Sequence, residues 1–279
     1  MTTRKHPGLV AAVAYDGLCL FEFGVAAELF GLARPELGEP WYEFAAVGIE
    51  KRGFRSLGGV TIHAAKGLAL LERAGTIVLP GWKDPGERPP ARFLRALIAA
   101  HARGARLMSI CSGAFILGYA GLLDGRRATT HWRYTERFRS LFPKVELIPE
   151  VLYVDEGQII TSAGSAAGID AGLHLIRRDF GAAVANRVAR RLVVTPHREG
   201  GQKQFIPSAI GEQGGSRFEP LMEWARERLA EPISVRRLAD RAAMSERNFL
   251  RRFREVTGAT PKAWLLHERI LSDICKTCQ

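Results

Sequence analysis

The run Arg106-Leu-Met-Ser-Ile-Cys-Ser-Gly-Ala-Phe-Ile-Leu117 narrows the possible folds more than any other stretch of the chain. Arg106 to Ile110 is a short apolar segment set off by Gly104, the pattern of a central strand, and Ala114 to Ala120 has the composition of a helix. Cys111 therefore stands at the corner between them. The small neighbours Ser112 and Gly113 let the backbone turn tightly and point the side chain outward over the helix start, the arrangement of a nucleophile elbow. Amide N–H groups and the helix dipole at such a corner favour a thiolate. The plainer alternative is a small core hydrophobe, since free cysteine is among the most buried residue types.

The flanking segments give that corner its context. Leu9 to Tyr15 is a near-continuous apolar run ended by Asp16-Gly17, and Phe21 to Leu32 follows with apolar residues at helical spacing. Trp41 to Ile49, Val60 to Ile62 and Thr76 to Leu79 read as strands, the last stopped by Pro80-Gly81. Pro90 opens an amphipathic helix with Phe93, Leu94, Leu97 and Ile98 on one face. Beyond the corner come a helix from Arg133 to Phe142, a hairpin of 151–154 and 158–161, and helices over 169–180 and 182–192. Strands alternating with helices predict an α/β fold, a parallel sheet flanked by helices on both faces. Sites in such sheets form at the carboxyl ends of the strands. Asp16, Gly17, Gly81 and Trp82 are therefore expected to converge on Cys111, Ser112 and Gly113. Gly164, in the small and flexible run 162–168, joins them as a pocket residue.

With 279 residues, 47% of them hydrophobic, the chain can bury a large core and has length for a second, smaller domain. No apolar run approaches the ~20 residues of a membrane span, and the first residues lack an apolar signal segment, so a cytoplasmic protein with no membrane partner is expected. Four cysteines in a chain this long do not make a disulfide scaffold. Cys275-Lys-Thr-Cys278 cannot by itself fill a tetrahedral zinc site, so neither a metal nor a cofactor is expected. Forty Lys and Arg against 29 Asp and Glu leave +11, which fits a nucleic acid or an Arg-rich proteome.

Thr195 to Ser216 is rich in Gly, Pro, Gln and Ser without an apolar period, as a linker is. Pro220 then starts a helix carrying Leu221, Trp224, Ala225 and Leu229 on one side, and Ser234 caps a second with Val235, Leu238, Ala239 and Ala242 at i, i+3, i+4 and i+7. After a turn at Ala243-Met244, Ser245 caps a third helix that pairs an apolar spine of Phe249, Phe253 and Val256 with Arg247, Arg251 and Arg254 on the far side. Two short helices joined by a tight turn, the second with an exposed arginine stripe, predict a helix-turn-helix. Arg247, Asn248 and Arg251 are the candidate base contacts, and Arg252 and Arg254 the candidate phosphate contacts. A merely solvated arginine face is the alternative.

Several of these motifs recur in order in known families. Tyr15-Asp-Gly, Ile-Cys-Ser-Gly at 110–113, Ala-Thr-Thr-His-Trp at 128–132, Thr-Ser-Ala-Gly-Ser-Ala-Ala-Gly-Ile-Asp at 161–170 and Val-Val-Thr-Pro-His-Arg-Glu-Gly-Gly-Gln at 193–202 resemble the ThiJ/PfpI superfamily, of class I glutamine amidotransferase-like, flavodoxin-like fold, over roughly 7 to 205. Leu238 to Arg254 and Gly258-Ala-Thr-Pro-Lys-Ala-Trp-Leu resemble the first helix-turn-helix of AraC-type regulators, and the combination is closest to their FtrA group. The resemblance implies a sensor domain over 1–195, a linker over 196–216 and a DNA-binding domain over 217–279 that ends after its first helix-turn-helix. It implies promoter DNA and an unknown small-molecule effector as partners, and a homodimer joined through the α/β domain. It places an acidic residue, here Glu22, beside the elbow cysteine; a solvated carboxylate at a helix start is the alternative. His131 of the Thr-Thr-His-Trp run is expected to orient Cys111 or a ligand, or to be a structural donor. No His-x-Glu pair stands where true glutaminases of the fold carry one, and Ser112 takes the place of the peptidases' histidine. The enzymatic alternative is thus an isocyanide hydratase or amide hydrolase with a vestigial DNA-binding tail.

Overall fold

The first strand lies in the middle of the sheet because it is apolar throughout: β1 (Leu9–Ala14) is buried from Val10 to Ala14 and has neighbours on both edges, as a parallel strand covered on both faces must. The structure is a computed structural model, and it describes residues 8–38, 40–50, 53–201, 204, 218–257, 259–266 and 268–269. The chain divides into two units, Met1–Gln204 and Phe205–Gln279. Strands β2 (Glu43–Gly48), β5 (Lys66–Gly67), β6 (Thr76–Pro80), β7 (Arg106–Ile110), β10 (Tyr153–Asp155) and β11 (Ile159–Ser162) complete a seven-stranded sheet in the order β10-β11-β7-β6-β1-β2-β5. All neighbours run parallel except the hairpin β10–β11.

The expected helices are present. They are α1 (Leu20–Ala26), continued by a π-helical turn over Ala27–Gly31, α2 (Ala91–Ala102), α3 (Gly113–Tyr119), α4 (Thr135–Leu141), α5 (Ala167–Phe180) and α6 (Ala182–Arg191). α1, α3 and α5 pack against strands of the sheet. The α/β fold and its flanking helices thus agree with the pattern in the sequence. One segment departs from it. Residues 60–62 belong not to the main sheet but to a two-stranded antiparallel ribbon, β3 (Gly53–Arg55) with β4 (Thr61–His63), turned by Gly58 and Gly59 at φ +90° and +86°. A two-residue pair, β8 (Arg127–Ala128) with β9 (Glu146–Leu147), completes the strands.

The strand order sets the site. With β7 between β6 and β11, and β6 beside β1, the residues at and just past the carboxyl ends of these four strands must be neighbours: Tyr15, Pro80-Gly81, Cys111 and Ala163-Gly164. Of the stretch 196–216 read as a linker, Arg198, Gly200 and Gln204 are bonded to the α/β unit: Arg198 pairs with Asp170, the Gly200 carbonyl accepts from Leu152, and Gln204 N–H donates to the Glu150 carbonyl. Residues 205–217 lie outside the described residues, as do Cys275 and Cys278.

In the second unit, α7 (Phe218–Arg226), α8 (Val235–Arg241) and α9 (Glu246–Thr257) close over Phe218, Leu221, Leu238, Phe249, Phe253 and Trp264. The Ser234 hydroxyl accepts from Arg237 N–H at 3.1 Å and Ser245 from Asn248 N–H at 3.4 Å, so both serines cap as their type predicts. Ala243, at φ +54°, ends α8: its N–H donates to Asp240 and that of Met244 to Ala239, the paired bonds of a left-handed helix stop. No helix among the described residues is long and apolar enough to cross a membrane.

Candidate functional site

Cys111 has φ +56°, a left-handed conformation that costs a side-chain-bearing residue on the order of 1–3 kcal/mol and that the surrounding packing must hold in place. Two glycines make the corner possible. A Cβ on Gly113 would fall on the Leu79 carbonyl, so α3 can start this close to β6 only with glycine there; one on Gly164, itself at φ +98°, would fall on the Cys111 Cβ. Beneath the corner, Ser112 Oγ accepts from Trp82 N–H at 2.8 Å and donates to the Trp82 carbonyl at 3.0 Å, joining the two strand ends. Gly164→Ala is therefore expected to lower the melting temperature by about 5 °C or more, from strain of ~1–3 kcal/mol plus displacement of Cys111. It should also change the labelling rate of the thiol; a thermal-shift and thiol-titration series that leaves both unchanged would refute the contact.

The partner of the thiol is Glu22. Its carboxyl is 4% exposed, hydrogen-bonds Cys111 and accepts from the Ser165 N–H, so it is not a solvated helix-start carboxylate. A Cβ on Gly81 would come within 2.5 Å of Glu22 Oε2 and 3.5 Å of the Tyr15 and Ser112 hydroxyls, which shows how closely these groups converge. Burial pushes the Glu22 carboxyl up, while the bonds from Cys111 and Ser165 pull it back. Burial, then the Glu22 charge and the hydrogen bond to it, push the Cys111 thiol well above the ordinary thiol range, and the Ser112 amide offsets only part of this. The expectation of a thiolate is thus corrected: α3 is two turns long, and its start is outweighed by desolvation and by a neighbouring carboxylate. Both groups are pushed toward their protonated forms, so the two do not carry negative charge together near neutral pH.

The other sequence candidates fall in different places. Trp82 and Gly81 belong to the site. Asp16 is exposed and accepts from Arg55 N–H at 3.0 Å, and Gly17 N–H donates to the Arg55 carbonyl, so both tie down the β3–β4 ribbon instead of facing Cys111. His131 Nδ1 accepts from Arg133 N–H at 3.2 Å and caps a short helical turn; burial and Arg133 pull its imidazole down, leaving it neutral near pH 7. It lies one residue from Thr130, whose hydroxyl donates to the Cys111 carbonyl at 2.9 Å.

Sequence reasoning missed Tyr15, Thr130, Ser165 and Gln204. Tyr15 ends the central strand, donates to the Pro80 carbonyl at 2.6 Å and is pushed up by burial and then by Glu22; its place at a strand end was the available signal. Gln204 had no signal of its own. Its Nε2 reaches the carbonyls of Pro149 at 2.8 Å, Thr130 at 3.0 Å and Val151 at 3.1 Å, while its Oε1 accepts from Trp132 N–H at 3.1 Å. The last described residue of the first unit is thus pinned to the loop that holds the Cys111 carbonyl.

In the second unit Arg247, Arg251 and Arg254 are exposed on α9, opposite the buried Phe249 and Phe253, while Asn248 and Arg252 are half-buried. Arg251 Nη2 donates to Asn248 Oδ1 at 3.0 Å, which sets these two side chains side by side on α9.

Residues 17–178 match a sequence profile described as the DJ-1/PfpI family, and residues 226–266 match one described as bacterial regulatory helix-turn-helix proteins, AraC family. The HTH-type transcriptional regulator ArgR of Pseudomonas aeruginosa is 30% identical over 272 residues, spanning 95% of this chain and 80% of its own length. Isonitrile hydratase of Pseudomonas putida is 32% identical over 167 residues, 57% of this chain and 72% of that protein. A crystal structure of an AraC family transcriptional regulator from Pseudomonas putida matches with a TM-score of 0.58 and 23% identity, covering 67% of this chain and 100% of that one, a likeness of fold.

Proposed function

Because the chain belongs to the DJ-1/PfpI family and carries an AraC-family helix-turn-helix, and so is a DNA-binding transcriptional regulator with a DJ-1/PfpI sensing domain, we propose that its input is a small molecule received where Cys111 meets Glu22. The observation that carries this is the bond from Thr130 to the Cys111 carbonyl together with the Gln204 carboxamide on the Thr130–Trp132 loop. A ligand that moves the Cys111 corner pulls on that loop, and the loop holds the residue from which the chain departs toward the helix-turn-helix. The regulator is cytoplasmic and acts as a homodimer joined through its α/β unit. Support for the dimer comes from exposed Leu20 and Phe21 on α1 beside exposed Leu57 and Val60 of the ribbon, which the Leu57 N–H bond to the Leu18 carbonyl ties together. Sedimentation equilibrium tests it, and a monomer at tens of micromolar overturns it.

The input is tested in a chain whose Cys19, Cys275 and Cys278 are serine, alkylated at Cys111 with iodoacetamide at pH 9 and returned to pH 7.5. Alkylation is expected to change affinity for the promoter of the chain's own gene about fivefold or more, the span of ordinary allosteric coupling. Gln204→Ala should keep the alkylation and lose the response. Equal affinity of alkylated and free protein would refute the reading, and turnover of a small isonitrile by a chain that does not bind DNA would favour the enzyme instead.

A further inference from the structure

Trp224 of α7 gathers three guanidinium groups around one indole. The Arg228 Cζ lies 5.3 Å from the ring centroid, that of Arg237 5.0 Å and that of Arg241 4.5 Å. Arg228 comes from just beyond α7, one turn after Trp224, while Arg237 and Arg241 stand one turn apart on a single face of α8. Two of the three have acidic neighbours: Arg228 Nη1 donates to Glu227 Oε2 at 2.8 Å and Arg237 Nη1 to Glu231 Oε2 at 3.2 Å. Arg241 pairs with no acid among the described residues. One cation would suffice for a stabilising contact with an aromatic face, and three at this spacing repel one another, so packing alone does not account for the cluster.

The chemistry of a guanidinium held over an aromatic ring supplies a reason. Its N–H donors form a planar fork suited to phosphate oxygens, and Arg241, which lies nearest the ring, pairs with no acid among the described residues. Position supplies the partner. In a helix-turn-helix the second helix enters the major groove while the first crosses the sugar-phosphate backbone, and α8 is that first helix. We propose that Arg228, Arg237 and Arg241, held around Trp224, form a surface for the phosphates of the DNA backbone next to the bases read by α9. The surface rests on the reading of the chain as a DNA-binding regulator and sets the register in which Arg247, Asn248 and Arg251 meet base edges.

The test uses the full chain in fluorescence-anisotropy titrations at several salt concentrations, against the promoter of its own gene and a shuffled duplex of the same length. The double variant Arg237→Gln, Arg241→Gln is expected to weaken binding to both duplexes by the same factor and to reduce the slope of log affinity on log salt by about 0.9 for each phosphate it no longer neutralises. Trp224→Leu keeps all three charges but frees them, and should weaken both duplexes less than the double variant does. Arg251→Ala, a base-contact comparator, should weaken the promoter more than the shuffled duplex. Circular dichroism verifies that each variant remains helical. Unchanged affinity and salt slope in the double variant, with Arg251→Ala still effective, would overturn the proposal and leave the cluster as an acidic-protein contact or a structural one. Failure of the unaltered chain to bind either duplex would overturn the DNA-binding reading as well, so the two failures are told apart.

Discussion

Phe253→Ala is expected to unfold the helix-turn-helix unit while leaving the α/β unit intact. Phe253 is fully buried, with ring centroids 5.3 Å from Phe249, 5.7 Å from Trp264 and 5.9 Å from Phe218, so it is the common neighbour of the aromatic core. Truncating such a phenylalanine costs ~3–5 kcal/mol, and a core in a unit of this size rarely supplies more than about that. Calorimetry should therefore lose one transition and keep the other, and promoter binding should disappear. Arg251→Ala, which removes an exposed side chain, should leave both transitions in place. Retention of both transitions and of DNA affinity by Phe253→Ala would show that the helices do not depend on this core.

What could be read from the sequence follows from how local each signal is. Leu9–Ala14 and Arg106–Ile110 were legible as central strands because burial on both faces demands uninterrupted apolar residues. The elbow at Cys111 was legible because only small residues fit beside it, and Gly113 and Gly164 are glycines for that reason. Ser234 and Ser245 announced both helices of the DNA-binding pair. The π turn at Ala27–Gly31 was not legible, since one extra residue in a turn leaves the apolar spacing almost unchanged. Nor was the split between Gly81 and Gly17: both follow a strand, but only strand order and the ribbon decide that the first faces Glu22 and the second faces Arg55. Gln204 and the arginines around Trp224 were invisible for a related reason. Gln204 meets carbonyls 53 to 74 residues away in sequence, Arg237 and Arg241 meet Trp224 only once α7 and α8 have packed, and a polar side chain carries no period that betrays what it will meet. Local reasoning placed a thiolate at Cys111 because it stands at a helix start, whereas burial and a carboxylate from α1 push the thiol up.

Glu22→Gln tests that placement most directly. Glutamine keeps an oxygen to accept from the Ser165 N–H but removes the charge that pushes the thiol up. The Cys111 thiol should then ionise at lower pH, and because each unit of fall gives about ten times more thiolate at a pH below both values, alkylation by iodoacetamide at pH 7.5 should speed up about tenfold or more. Stability should move with it. Burial raises the folded-state pKa of Glu22 above its unfolded value, so its contribution is fully present below about pH 4.3 and is lost as pH rises through the folded value. At neutral pH the buried carboxylate therefore costs stability, and Glu22→Gln should melt at a higher temperature than the parent at pH 7–8 and show no advantage at about pH 4. Cys111 has the same sign at the other end of the range: its raised pKa removes stability as pH climbs past the ~8.5 of an unfolded thiol, and Cys111→Ser should flatten that decline. Slower alkylation of Glu22→Gln, with a lower melting temperature at neutral pH, would mean that the carboxyl holds the shared proton and donates it to a thiolate.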